Sequence, residues 1–211
     1  MTRLTYYFDP LCPWSWLTSL WVREVRKYRD VEITWKFFSL AEVNQQTDPV
    51  RYGPLRIAAL ARREHGNDGA DRAYLALGRL YHERRDRPAN LEELAQKAQE
   101  PLREVGLDPS LAPRAVQDES TLEDVRRDHQ EAVQRFKAFG VPWLVLGDEE
   151  FGYFGPVVNT FHSGETSAEL WDRYVWLASC SYLFELKRER QPLPELQGLS
   201  DAFIAQDSAA G

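Results

Sequence analysis

The sequence predicts an α/β domain in which a β-α-β start and a β-β-α end enclose an all-helical insertion. Three observations carry this reading. Residues 4–8 form a short uncharged run rich in Tyr, Thr and Phe, as in a buried strand. From about Pro54 to Ala138 the chain is almost free of β-branched runs and full of Ala, Leu, Arg and Glu, a helix-forming composition. β signals return after Gly140. The length of 211 residues fits one large domain or one domain carrying an insertion, and 43% hydrophobic residues suffice for a core.

The elements follow in order. Asp9-Pro10-Leu11 breaks the first strand, and the next apolar positions, Leu17, Leu20, Trp21, Val25 and Tyr28, have helical spacing. Residues 31–40, with Val, Ile, Thr, Trp and two Phe, read as a second strand. A crossover helix of this length favours parallel pairing of the two strands. Four or five helices are expected in the middle section. Asn90-Leu91-Glu92-Glu93 and Ser120-Thr121-Leu122-Glu123 resemble capping boxes, and Pro101, Pro109 and Pro113 cut the section into short pieces. Residues 143–146 then read as a strand, 147–150 as a turn and 151–154 as its antiparallel partner. Thr166-Ser167-Ala168-Glu169 resembles a further capping box, starting a helix to about Arg188. The tail from Pro192, rich in Pro, Gly, Ser and Ala, is expected to be loose. The expected division is 1–48 with 139–211 as one α/β unit, and 49–138 as the insertion.

Composition excludes several function classes. The net charge of −7 argues against nucleic acid or an anionic membrane as main partner. The longest uncharged apolar run, 174–184, is far below the roughly 18 residues that span a bilayer. Two cysteines, Cys12 and Cys180, make neither a disulfide framework nor a four-ligand zinc site. With no signal-peptide pattern at the start, an intracellular, cytoplasmic protein with reduced thiols is expected. His65, His82, His129 and His162 are scattered without ligand spacing, so no metal site is expected. Neither a nucleophile elbow nor a phosphate-cradling glycine loop is present.

The chemistry concentrates at Cys12-Pro13-Trp14-Ser15. Cys12 stands where the first strand ends and the first helix begins. Pro13 then occupies the first helical position, where its missing N–H costs nothing. Cys12 becomes the N-cap, and its sulfur faces the free N–H groups and positive end of the helix. The Ser15 hydroxyl, one turn on, is expected to donate a further hydrogen bond. Such a setting predicts a nucleophilic thiol with a lowered pKa, against the blander reading of a core cysteine. Asp9, three residues earlier, suits turn capping. Cys180, on the late helix beside Ala178, reads as a small core residue.

Phe8-Asp9-Pro10-Leu11-Cys12-Pro13-Trp14-Ser15-Trp16 resembles the active-site segment of the DsbA/FrnE-like proteins, and among them the actinobacterial mycothiol-dependent nitroreductases. The resemblance continues through Phe38-Ser39-Leu40-Ala41-Glu42-Val43-Asn44, Gly53-Pro54-Leu55-Arg56, Phe154-Gly155-Pro156-Val157, Leu170-Trp171-Asp172 and Phe184-Glu185-Leu186-Lys187-Arg188, and is weakest over 86–135. It implies a thioredoxin fold with a DsbA-like helical insertion, and thiol–disulfide oxidoreductase activity with Cys12 as nucleophile. It also implies a cis Val141-Pro142 bond opening the third strand beside the cysteine, with the Val141 backbone free to pair with substrate. Trp14 would be a stacking surface beside the sulfur and Trp143 a cleft or core residue, while Trp16 belongs to the core. Asn44 and Tyr52 match family positions near the cleft, with loop hydrogen bonds as the plainer alternative. No tightly bound cofactor is implied; the expected co-substrate is a low-molecular-weight thiol, and a homodimer remains open.

One departure matters. Dithiol members of the family carry Cys-Pro-Trp-Cys, whereas Ser15 holds the resolving position here. An internal disulfide is impossible at this motif, so a mixed disulfide at Cys12 would be resolved by a small external thiol. Two alternatives stay open: a thiol-cofactor transferase or isomerase of the kappa glutathione transferase type, or a redox-inactive binding module.

Overall fold

The computed structural model describes residues 1–148 and 152–204. β1 (Thr2–Phe8) runs into α1 (Pro13–Val25), which returns to β2 (Val31–Phe37). β1 and β2 pair in parallel from Thr2↔Val31 to Phe8↔Phe37, as the crossover through α1 allows. β3 (Trp143–Leu146) pairs antiparallel on the other side of β1, and β4 (Tyr153–Phe154) antiparallel on β3, giving the order β2-β1-β3-β4. This is an α/β sheet of thioredoxin type. Phe151 and residues 149–150 of the expected turn lie outside the described residues, as do 205–211 of the tail.

Between β2 and β3 lie α2 (Leu40–Val43), a 3-10 turn (Pro49–Arg51), α3 (Gly53–Gly78), a π-helical turn (Arg79–Glu83), α4 (Leu91–Lys97), α5 (Gln99–Glu104), α6 (Leu111–Gln117) and α7 (Thr121–Phe136). α3 is interrupted at Gly66, whose φ of 66° is left-handed. The break brings Asn67 to the outer edge of β2. Its side chain accepts from Trp35 N–H and donates to the Ile33 carbonyl, both at 2.8 Å. Asp128 of α7 accepts from Phe37 N–H at 3.1 Å. An edge strand's unpaired backbone groups are thus capped by the insertion, which removes a template for aggregation. Aromatic rings join the two parts: Phe8 stacks on Tyr74 of α3 at 4.0 Å and meets Trp35 edge-on at 6.0 Å.

Asn90 caps α4 by accepting from Glu93 N–H, as its motif predicts. The other two capping boxes do not form. Ser120 donates its hydroxyl to Asp118 and makes no cap bond to α7. The late helix, α8 (Glu165–Ala178), begins after Gly164 with no side-chain cap, so Thr166 lies inside the first turn rather than at the N-cap. α8 also ends ten residues before Arg188, where Ser179 hydrogen-bonds back to the Trp176 carbonyl. Cys180 therefore lies beyond the helix, half-buried, rather than in its core face. The segment after Pro192 runs against the body: Ser200 is fully buried and bonded to Glu83, and α9 (Asp201–Ile204) buries Phe203.

Candidate active site

Cys12 is the N-cap of α1, with extended backbone, and Pro13 opens the helix. The sulfur accepts from Ser15 N–H at 3.4 Å and faces the Val141 carbonyl at 3.7 Å, the geometry of a neutral thiol that donates on one side and accepts on the other. The loop ahead of it is held from three directions. The buried Asp9 carboxylate accepts from Leu11 N–H at 2.9 Å and from Leu40 N–H at 2.8 Å. His82, from the π-helical turn, lies with Nε2 2.8 Å from the Pro10 carbonyl. Burial lowers the His82 pKa to about 4, so at neutral pH its Nε2–H donates there without a charge. Asp9 therefore caps the turn as its position suggests. The His82 contact, spanning 72 positions, had no sequence signal.

The Ser15 hydroxyl does not reach the sulfur. Ser15 lies on the buried face of α1, where its Oγ accepts from Tyr74 OH at 3.0 Å and its carbonyl from Tyr6 OH at 2.7 Å. Its backbone N–H, not its side chain, serves Cys12, because the first-turn N–H groups point back at the N-cap.

The expected lowered thiol pKa is also corrected. Burial pushes the Cys12 thiol up to about 11 and the Asp9 carboxylate adds to this, while the N–H groups of Ser15 and Trp14 and the Arg190 guanidinium pull it down. The helix start supplies the donors a thiolate needs, but the protein packed around the half-buried sulfur outweighs them. Asp9 itself is pushed up to about 6 by burial, against the N–H groups of Leu40 and Leu11 and the charge of Arg51.

A pH series of iodoacetamide alkylation at Cys12 checks these opposing influences. The midpoint is expected above the free-thiol value of about 8.5. Asp9→Asn should lower it, by removing a carboxylate that disfavours the thiolate, and Arg190→Ala should raise it. A wild-type midpoint well below the free value would show that the helix donors prevail over burial.

The remaining candidate residues divide into two groups. The Val141 carbonyl faces the thiol and the Val141-Pro142 bond is cis, while Trp143, in the cluster against which Cys12 packs, is buried against Phe139 and belongs to the core. Trp14 is half-buried beneath Arg190, whose guanidinium lies 5.5 Å from the Trp14 ring and 5.5 Å from the Phe154 ring. Trp16 is fully buried. Asn44 and Tyr52 make loop hydrogen bonds, to the carbonyls of Leu40 at 2.8 Å and Gln46 at 3.0 Å. Among the described residues no three His, Cys, Asp or Glu side chains converge as metal ligands, and no helix is long and apolar enough to cross a membrane.

Comparison with known proteins agrees with this architecture. The uncharacterized protein Rv2286c of Mycobacterium tuberculosis (strain ATCC 25618 / H37Rv) is 33% identical over 201 residues, covering 91% of this chain and 84% of that protein. The probable DsbA oxidoreductase SCO1869 of Streptomyces coelicolor superimposes with a TM-score of 0.57 at 16% identity, over 90% of this chain and 96% of that one. The cytosolic disulfide reductase DsbM of Pseudomonas aeruginosa gives 0.54 at 17%, over 84% and 97%. A 2-hydroxychromene-2-carboxylate isomerase gives 0.58 at 18%, over 83% and 94%. At these identities the solved structures share the fold. The family described as mycothiol-dependent nitroreductase Rv2466c matches residues 11–188, a span that opens immediately before Cys12 and takes in the insertion, the β3–β4 hairpin and α8. On that match the chain belongs to the Rv2466c-like family.

Proposed function

We propose that this protein is a thiol–disulfide oxidoreductase using Cys12 as its single nucleophile, with a low-molecular-weight thiol as co-substrate. The observation that carries the reading is the sulfur at the N-cap of α1, 3.4 Å from the Ser15 nitrogen and facing the Val141 backbone. Membership of a family described by a mycothiol-dependent nitroreductase supports oxidoreductase chemistry and the small thiol.

The Cys12 thiolate attacks one sulfur of a disulfide. The S–S bond breaks, the second sulfur leaves as a thiolate with the bonding pair, and Cys12 is held as a mixed disulfide. A small thiolate then attacks that mixed disulfide, forming its own disulfide and returning the Cys12 thiolate. Negative charge shared among three sulfurs in each step is stabilised by the N–H groups at the helix start. The transferase alternative, which would use a serine hydroxyl near a bound thiol, is disfavoured by the orientation of Ser15 toward Tyr74.

Intact mass after incubation with oxidised small thiols tests the proposal: one adduct, mapped to Cys12 and removed by excess reduced thiol, is expected. A chain that stays unmodified would refute it. Ser15→Cys should add a resolving thiol one helical turn away. Mild oxidation should then consume both thiols as an internal disulfide, and small-disulfide reductase turnover should exceed that of wild type. The variant loses one buried hydrogen bond from Tyr74, a cost of about 1 kcal/mol that the fold should tolerate. Two thiols that remain free under oxidant would mean the site is arranged differently.

A further inference from the structure

A cavity of about 620 Å³ lies between the loop that carries Cys12, the 3-10 turn, the chain following the π-helical turn, and the segment after Pro192. Leu11 and Pro13, the residues on either side of Cys12, form part of its wall, and Arg51, Arg85 and Arg87 form another part. The one acidic residue in the wall is Asp48, whose carboxylate is engaged as the cap of the 3-10 turn, accepting from Val50 N–H at 3.1 Å. His82, also in the wall, is neutral at physiological pH and directs its Nε2–H to Pro10.

The state of the arginines is unusual for this chain. Most other arginines are tied to carboxylates, as Arg29 is to Glu165 and Asp172, and Arg114 to Glu64; of the exceptions, Arg56 bonds Thr121 and the Val116 carbonyl and Arg190 lies over Trp14 and Phe154. The guanidinium groups of Arg51 and Arg87 make no hydrogen bond or ion pair among the described residues, and that of Arg85 has only a long contact of 3.6 Å to the exposed Glu195. A protein of net charge −7 has carboxylates to spare, yet three guanidinium groups converge here largely unneutralised. Guanidinium forks bind carboxylates and phosphates in bidentate fashion, and a cleft lined by one sign of charge concentrates ligands of the other. Tyr81, Pro88 and Leu196 supply an apolar side, which suits a ligand with a hydrophobic body and an acidic end.

We propose that this cavity is the anion subsite of the exchange site, binding the carboxylate or phosphate end of an acidic disulfide or thiol whose sulfur reacts at Cys12. The inference rests on the reading of Cys12 as nucleophile and adds the substrate's charge class. The covalent step is the exchange already written, with the disulfide itself as oxidant. Its leaving thiolate carries the bonding pair.

Two disulfide probes separate the inference from the reading beneath it: dianionic 5,5′-dithiobis(2-nitrobenzoate) and neutral 4,4′-dithiodipyridine. Each rate at Cys12 is divided by the rate of the same probe with 2-mercaptoethanol, which cancels intrinsic reactivity. The normalised rate is expected to favour the dianion by about tenfold, although the net negative chain would repel it, and to lose that preference at high salt. Arg51→Gln and Arg87→Gln should each reduce the preference severalfold, and the double variant should abolish it. Arg114→Gln, which makes the same change in net charge at a site remote from the cavity, should leave it intact. These arginines are exposed, so the variants are expected to fold. Reaction with both probes and no preference, or a preference that the Arg51 and Arg87 variants leave unchanged, would overturn the anion subsite while leaving the Cys12 nucleophile standing. Failure of both probes to modify Cys12 would overturn the nucleophile, and the subsite with it.

Discussion

Cys12→Ala is expected to abolish mixed-disulfide formation and turnover, by at least about a thousandfold, the scale on which a covalent nucleophile is lost. The other thiol cannot stand in. Cys180 sits past the end of α8, with its sulfur 3.5 Å from the Trp176 carbonyl, and faces no helix N-terminus. The loss should come with little unfolding. Alanine cannot accept from Ser15 N–H, so the cap is weakened by roughly 0.5–1 kcal/mol, the low end for N-cap replacement because sulfur is a weak acceptor. Activity and thermal melting should be followed together, with any adduct mapped by peptide digestion. Retention of turnover by the folded variant would remove Cys12 from the chemistry and return weight to the thiol-cofactor transferase reading.

Gly78→Ala is expected to destabilise the whole domain even though alanine is the better helix former. A Cβ at Gly78 would lie 1.7 Å from Nε1 and 1.8 Å from Cδ1 of Trp16, distances no real contact allows. Trp16 is fully buried, so its ring cannot swing away into solvent. Helix propensity favours alanine by about 1 kcal/mol, whereas overpacking a tight core costs about 1–3 kcal/mol or more, and at this separation the second effect wins. A net loss of that order lowers the melting temperature by roughly 3–10 °C in a domain of this size. The site should feel it too. Trp16 N–H makes the first α1 hydrogen bond, to the Cys12 carbonyl at 3.0 Å, so displacement of the indole tilts the helix start that positions the thiol. A larger side chain, as in Gly78→Leu, should prevent folding. An unchanged melting temperature for the alanine variant would show that α1 and α3 can move apart at little cost.

The sequence by itself determined the local framework of this protein: the crossover that makes β1 and β2 parallel, the helical middle section, and Cys12 as N-cap with Pro13 behind it. Each depends on residues within one or two turns of each other, through strand alternation, helical spacing and orphan N–H groups, and such signals survive in a one-dimensional text. Tertiary structure decided what surrounds the sulfur. Ser15 was identified as a neighbour of Cys12, but which way its hydroxyl points is set by Tyr74, 59 positions on. The raised thiol pKa is a property of everything packed around the sulfur, and desolvation has no motif. His82 on Pro10, Asn67 on β2 and Arg190 over Trp14 join residues 32 to 176 positions apart, so their spacing carries no periodic signal. The same holds for Arg51, Arg85 and Arg87, which read as ordinary surface charges until the fold brings them to one cavity wall, because electrostatic and burial effects depend on distance in space.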